Sequence, residues 1–317
     1  MNFRTILGAA RLPAVLLPAL LALPGHSDSV KPLQFGPYVL NKLSMVGSPA
    51  GYDYVLTNGG YQFQLGWVEP IANDPSSVFH HTYFETSGDF NISPYQFDLG
   101  TTFNLKPIRY LEIGLTYHRL IFNNSLVAFS RRGDDLDDEL SVPPRSEWRP
   151  SAIYEKLGHE PAGADVFTYQ ANFTIDAGRL QFFLLGSRTL WDIDAKGRDF
   201  VFEFSSDLLI WTHDRVNSAV VQLSLDLRPY SLYRTLSYTG FSVRNQYWST
   251  EHTFLRKNLV SFGITGFRIG RNRGSQRRGL DLSVGYYTLH DQLPGNDPAK
   301  ALVVLADWRW NIQFLDL

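Results

Sequence analysis

Hydrophobic and polar residues alternate one for one along most of this chain. In the stretch 304–314, Val304, Ala306, Trp308, Trp310, Ile312 and Phe314 take every second position, with Leu305, Asp307, Arg309, Asn311 and Gln313 between them. Successive side chains of an extended strand point to opposite faces, so the segment has one apolar face and one mostly polar face. Leu111, Ile113, Leu115 and Tyr117 oppose Glu112, Gly114, Thr116 and His118 in the same way, and Phe97, Leu99, Phe103 and Leu105 oppose Gln96, Asp98, Gly100, Thr102 and Asn104. The rhythm returns in Tyr61–Trp67, Phe167–Ile175, Val221–Leu227 and Leu280–Tyr286. No helical period competes with it.

The pattern predicts strands near 61–68, 78–86, 95–105, 108–120, 165–175, 179–190, 199–211, 218–228, 237–248, 254–269, 278–290 and 301–314. That is about twelve, an even number. Asp28 to Gly60 is weakly patterned and reads as a first strand, a plug or a lead segment. Lys106-Pro107-Ile108 and Asp176-Ala177-Gly178 read as tight turns. With both turns on one side, twelve strands bring the C-terminus out on the other. One element after Gly178 is therefore miscounted, expected in the blurred stretch between Arg234 and Gly270, which sets the strand number between about 10 and 14. The one long interruption, 129–165, carries four prolines and the acidic run Asp134, Asp135, Asp137, Asp138, Glu139.

A soluble β-sandwich also alternates, so the period alone gives a sheet with two unlike faces. Three features favour an antiparallel transmembrane β-barrel. The apolar face is rich in Phe, Tyr, Trp and Leu throughout, as lipid-facing staves are. The other face holds Gly, Ser, Thr, Asn and Gln, which suits a wet interior. Aromatic residues make up 14% of the chain, and Trp67, Trp191, Trp211, Trp308 and Trp310 are placed for a lipid belt.

The first residues fit the same compartment. Arg4 and Arg11 precede an apolar stretch from Leu12 to Leu23, and Gly25-His26-Ser27 offers a small-x-small cleavage site, so 1–27 reads as a signal peptide and 28–317 as the barrel. The apolar stretch falls short of the roughly 20 residues of a spanning helix. There are no cysteines, which excludes disulfides, thiol chemistry and thiolate metal ligands. A mean hydropathy of -0.16 suits a barrel, which shows only alternate residues to lipid. A net charge of -2 with no basic-aromatic signature gives no support for a nucleic-acid partner.

The signal segment, the strand alternation and the closing strand ending in Trp308, Trp310, Ile312 and Phe314 together resemble the Gram-negative outer-membrane β-barrel proteins, from about residue 33 onward. The chain departs from their common pattern in ending Leu315-Asp316-Leu317 rather than on Phe. The resemblance implies residence in the bacterial outer membrane, with tight turns on the periplasmic side and the 129–165 loop outside. It also implies contact with membrane lipid, lipopolysaccharide and the barrel-assembly machinery.

On the polar face Asp98, Glu112, His118, Glu203, Asp226, Arg228, Asp281, Asp307 and Arg309 are expected to line the lumen. Mixed charges of this kind set ion or solute preference in an open pore and neutralise one another in a filled barrel. The leading function is a porin-like channel for small hydrophilic solutes or ions. The alternatives are an enzyme acting on lipid or lipid A at the rim, and a structural or adhesive barrel. The weak catalytic candidates are His81 with Glu85, which share a strand face, and His118; there is no Gly-x-Ser-x-Gly elbow. The acidic run lacks a spaced calcium loop and reads as a solvated charge run. Arg132-Gly133-Asp134 is too short a motif to carry weight. Arg268, Arg271, Arg273, Arg277 and Arg278 would meet lipopolysaccharide phosphates on the outer side and form a charged turn on the inner. No metal site and no cofactor are expected. A final hairpin centred near Gly295 would set Asp281 opposite Arg309 and Ser283 opposite Asp307.

Overall fold

In the computed structural model the described residues are 36–47, 60–72, 78–79, 82–93, 96–129, 160–194, 200–203, 208–233, 236–269, 277–291 and 302–313. They form strands joined by turns. In chain order these are β1 (Gly36–Gly47), β2 (Gly60–Ala72), β3 (Thr82–Ile92), β4 (Gln96–Ile108), β5 (Leu111–Phe129), β6 (Glu160–Ala177), β7 (Leu180–Asp194), β8 (Phe200–Glu203), β9 (Leu208–Trp211), β10 (Arg215–Tyr233), β11 (Leu236–Thr250), β12 (Arg256–Ile269), β13 (Arg277–His290) and β14 (Leu302–Gln313). Every pairing is antiparallel between chain neighbours, except that β7 pairs with β10, β5 with β8, and β1 with β14. The last of these closes the ring. Fourteen strands less the β8–β9 pair leave a barrel of twelve.

Closure leaves no sheet edge, so the ring's backbone donors and acceptors are satisfied within the barrel. With twelve antiparallel strands, β1 starts and β14 finishes at the same end, here called the base; the other is the top. The turns at 109–110 and 178–179 lie at the base, as does the β12–β13 connection. Arg268, Arg277 and Arg278, which flank that connection on β12 and β13, therefore belong to the base end of their strands; Arg271 and Arg273 lie outside the described residues.

Alternation translates directly into exposure. Leu65, Leu99, Leu223 and Val284 point outward with exposures of 50–57%, whereas Gln64, Asp98, Gln222 and Ser283 are turned inward and half-buried or buried. The outward apolar band runs through the ring. It ends towards the top in polar pairs on the outer face: Tyr117 and Arg119 donate to Asp165 at 2.6 and 2.5 Å, and Arg188 to Glu251 at 2.5 Å. Pairs as exposed as these add little stability, but they mark where the apolar band gives way to a polar boundary. Towards the base, the exposed Trp67 donates its indole N–H to Glu69 at 2.9 Å, as an interfacial tryptophan does.

In four places the structure decides between the expected alternatives or departs from them. The segment read as a strand, plug or lead contains β1, which closes the barrel. The expected strand at 199–211 is not a stave: it is the β8–β9 hairpin, carried on the top of β5 through Val127–Phe129. That hairpin is the miscounted element, and it does not lie where the miscount is expected: the stretch between Arg234 and Gly270 holds two full strands, β11 and β12. β6 already begins at Glu160, inside the expected loop, while 130–159, like the signal segment and the acidic run, lies outside the described residues.

The fourth difference is the register of the last hairpin. Asp281 pairs with Asp307, Gly279 with Arg309 and Ser283 with Leu305. The expected face is right and the register is off by two positions, because a two-residue slip keeps every side chain on its own face and the alternation cannot detect it.

The hairpin turns inward. Val201 and Ile210 are fully buried against Leu120, Phe122, Ala164, Val166, Ile193 and Val216, which lie on the interior faces of β5, β6, β7 and β10 near the top. Burying each of the two hairpin side chains contributes about 1.5–3 kcal/mol. Asp214, after β9, fixes the end of the hairpin: its carboxylate accepts the backbone N–H groups of Trp211 at 3.1 Å, Arg215 at 2.7 Å and His252 at 3.0 Å.

Outward Leu115 and inward Thr116 test the assignment of faces. Leu115→Arg is expected to cost about 2–4 kcal/mol of unfolding free energy in lipid vesicles and Thr116→Arg much less. Equal losses in urea titration would contradict it.

Candidate functional site

The interior wall of β1 to β6 is built from side chains that reach across one strand to the next but one. Tyr38 of β1 lies over Gly66, its register partner on β2, and donates its hydroxyl to Glu85 of β3. A Cβ at Gly66 would collide with the Tyr38 ring, so only glycine leaves that path open. Asn104 of β4 donates to the other oxygen of Glu85 at 2.9 Å. Two strands further round the device repeats: Tyr83 of β3 donates to Glu112 of β5 at 2.5 Å, and Asn172 of β6 donates to the second oxygen of Glu112 at 3.0 Å.

Higher in the barrel, Asp89 accepts from Thr102 at 2.9 Å, and Asp98 accepts from Asn91 at 2.8 Å and meets His118 Nδ1 at 2.6 Å. The His118 ring lies over Gly100, its register partner, where a Cβ would again collide with it. Hydroxyl and amide donors satisfy a carboxylate's lone pairs without cancelling its charge. Among the described residues no lysine or arginine forms an ion pair with Glu85, Asp89, Asp98 or Glu112. The wall of β3 to β5 therefore carries four carboxylates, which meet a basic group only at His118 beside Asp98 and at Lys106, whose ammonium interacts electrostatically with Glu112 without forming an ion pair. On the other side, Lys257 of β12 is buried with its ammonium 4.7 Å from the Trp248 ring and 5.2 Å from the Tyr287 ring, so aromatic faces cover that positive charge.

The structure brings Asp98, Glu112 and His118 together on one wall, as expected of residues on the polar face, and adds Glu85, Asp89, Tyr38 and Tyr83. Asp281 is on the interior face of β13, and Asp226 is exposed at the base where β10 bulges. The side chains of Glu203, Arg228, Asp307 and Arg309 lie outside the described residues; Glu203 belongs to the hairpin and not to a stave. Of the expected lipid-belt tryptophans, Trp67 is outward. Trp191 is not: it is on the interior face of β7, packed against the apolar cluster beneath the hairpin. A strand end marks the level of a residue, not its face, which is why position alone misplaced it. Trp211 sits on β9, off the ring, and the side chains of Trp308 and Trp310 lie outside the described residues.

The catalytic candidates are not assembled at a rim. Glu85 and His118 face the lumen on separate strands, and His81 lies outside the described residues. Among the described residues there is no group of three or more His, Asp or Glu side chains that could hold a metal ion.

No protein-family model and no curated protein matches the chain. Solved structures do resemble it. An outer membrane channel from Pseudomonas putida F1 aligns over 91% of this chain and 99% of its own at 11% identity and a TM-score of 0.41. LpxR from Salmonella typhimurium covers 87% and 100% at 9% identity and 0.36; an anion-selective porin from Comamonas acidovorans covers 87% and 97% at 8% and 0.34. The fold is that of a transmembrane β-barrel. The closed strand order and the apolar outer band carry that statement; the likenesses are too distant to add a function.

The glycine contacts give a paired test. Gly66→Ala is expected to cost about 1–3 kcal/mol, because the Tyr38 ring must leave Glu85. Gly88→Ala, where an added Cβ meets nothing within 4 Å, should be neutral. Urea midpoints of the two variants in the same vesicles measure the difference.

Proposed function

We propose that this protein is a porin-like channel of the bacterial outer membrane, passing small hydrophilic solutes or ions through the barrel without covalent chemistry. The observation that carries the reading is the interior wall of β3 to β5, where four carboxylates take their hydrogen bonds mainly from neutral partners and only His118 and the nearby Lys106 offset their charge. A barrel stabilised only by its filled interior gains from pairing buried acids with bases, since an uncompensated buried charge is costly. Asp89 and Asp98 are buried and held by hydrogen bonds, whereas Glu85 and Glu112 are only half-buried, and carboxylates without an ion-pair partner persist where water and counter-ions reach them. Twelve strands lie between eight, whose interior side chains fill, and sixteen to eighteen, which enclose an aqueous channel.

On this reading the base faces the periplasm and the top faces outward. The outward polar pairs around Asp165 and Glu251 then meet the headgroups of the outer leaflet, lipopolysaccharide among them. A lipid-directed enzyme gains no support, because Glu85 and His118 turn away from lipid.

In planar bilayers the purified protein should show discrete conductance steps. Under a KCl gradient its reversal potential should have the sign of cation preference, and Glu85→Gln with Glu112→Gln should move it towards zero. Absence of conductance from a folded, heat-modifiable barrel would end the channel reading. Anion preference unchanged by the double substitution would remove these carboxylates from it.

A further inference from the structure

We infer that the β8–β9 hairpin is a fixed size filter at the top of the lumen; the inference rests on the channel reading. Connections between staves normally run over a barrel's rim, with polar residues to water. This one does the reverse. Val201 and Ile210 have no exposed surface, and the residues that cover them, Leu120 and Phe122 of β5, Val166 of β6 and Val216 of β10, all belong to the interior face. The apolar cluster therefore occupies the inside of the mouth, on the β5 to β10 side.

Two observations show that the hairpin is pinned in place. Its first strand, β8, is paired antiparallel with the top end of β5 at Val127, Ala128 and Phe129. Its exit is held by the buried Asp214, which ties it to the turn after β11 through the His252 N–H, while Trp191 N–H and Ile193 N–H donate to the carbonyls of Asp214 and Thr212 at 2.9 and 2.8 Å. Both ends being fixed, the hairpin behaves as part of the wall. It removes one sector of the mouth from the water path and leaves solutes the opposite sector, on the side of β1 to β4. The filter selects by size, and bulky hydrophilic solutes are the class it rejects.

The experiment replaces residues 200–211 with a short Gly-Ser linker in the full chain, with gel heat-modifiability as the check that the barrel is folded. Unit conductance and the largest poly(ethylene glycol) that enters the pore are measured for both proteins. Removal of the hairpin should raise conductance at least twofold and admit larger polymers. Equal conductance and equal polymer cut-off would overturn the filter while leaving the channel reading intact. Silence of both proteins would remove the channel reading instead. A second measurement does not need conduction. The chain has no cysteine, so a Val216→Cys label site is unique. It should resist a water-soluble maleimide in the full chain and react at least tenfold faster without the hairpin. Equal rapid labelling of both would show that the cluster is open to water and overturn the proposal.

Discussion

Pairing of β1 with β14 is the constraint on which the rest depends. In a hydrocarbon layer each unpaired backbone N–H or C=O costs several kcal/mol, and an open sheet of twelve strands would present two full edges of them. Tyr38 to Gly47 match Gln313 to Val304 without a break, so the ring closes along most of the length of both strands. Closure fixes the two faces of every stave at once. A strand cannot slip by a single residue without turning its Leu and Phe residues into the lumen and its Gln and Asp residues into lipid.

Inside the ring, the two sides are held by different means. From β1 to β6 the wall is cross-linked by long polar side chains, and glycines make room for them: Gly66 on the intervening strand lets the Tyr38 ring reach Glu85 beyond it, and Gly100 lets the His118 ring lie over the neighbouring strand and reach Asp98 on that same strand. On the β5 to β10 side near the top, apolar residues replace this lattice and a hairpin seals them from water. One side stays polar and charged; the other is dry. The proposed channel function rests on that asymmetry, with four carboxylates on one side of the interior and an apolar cluster on the other.

The fold was legible in the sequence because the period-two pattern is imposed by the lipid and the lumen on every stave alike. Leu111–His118 and Leu280–Tyr287 gave both the strand and its outward face. What alternation does not encode is which strand is which. Phe200, Phe202 and Phe204 take every second position as in a stave, yet Val201 and Ile210 bury against other interior residues and not against lipid, and only tertiary packing separates the two cases. β1 was left open because Gly36, Pro37 and Gly47 weaken its pattern, although its neighbours determine its place. Asp98, Glu112 and His118 could be placed on the interior face from parity. Their partners could not: Tyr38 to Glu85 spans 47 residues, and the glycine that permits it carries no signal by itself. The register of β13 with β14 escaped for the reason that two-residue slips preserve parity.

The most direct test of the central claim, a closed barrel with a lipid face and a water face, is a single-cysteine scan of positions 112 to 118 on β5 in vesicles. Cysteines at 113, 115 and 117 should carry fluorophores quenched by lipid-borne quenchers and react slowly with aqueous thiol reagents, while those at 112, 114, 116 and 118 should show the opposite. Loss of the two-residue alternation, or the same alternation with its phases exchanged, would contradict the account.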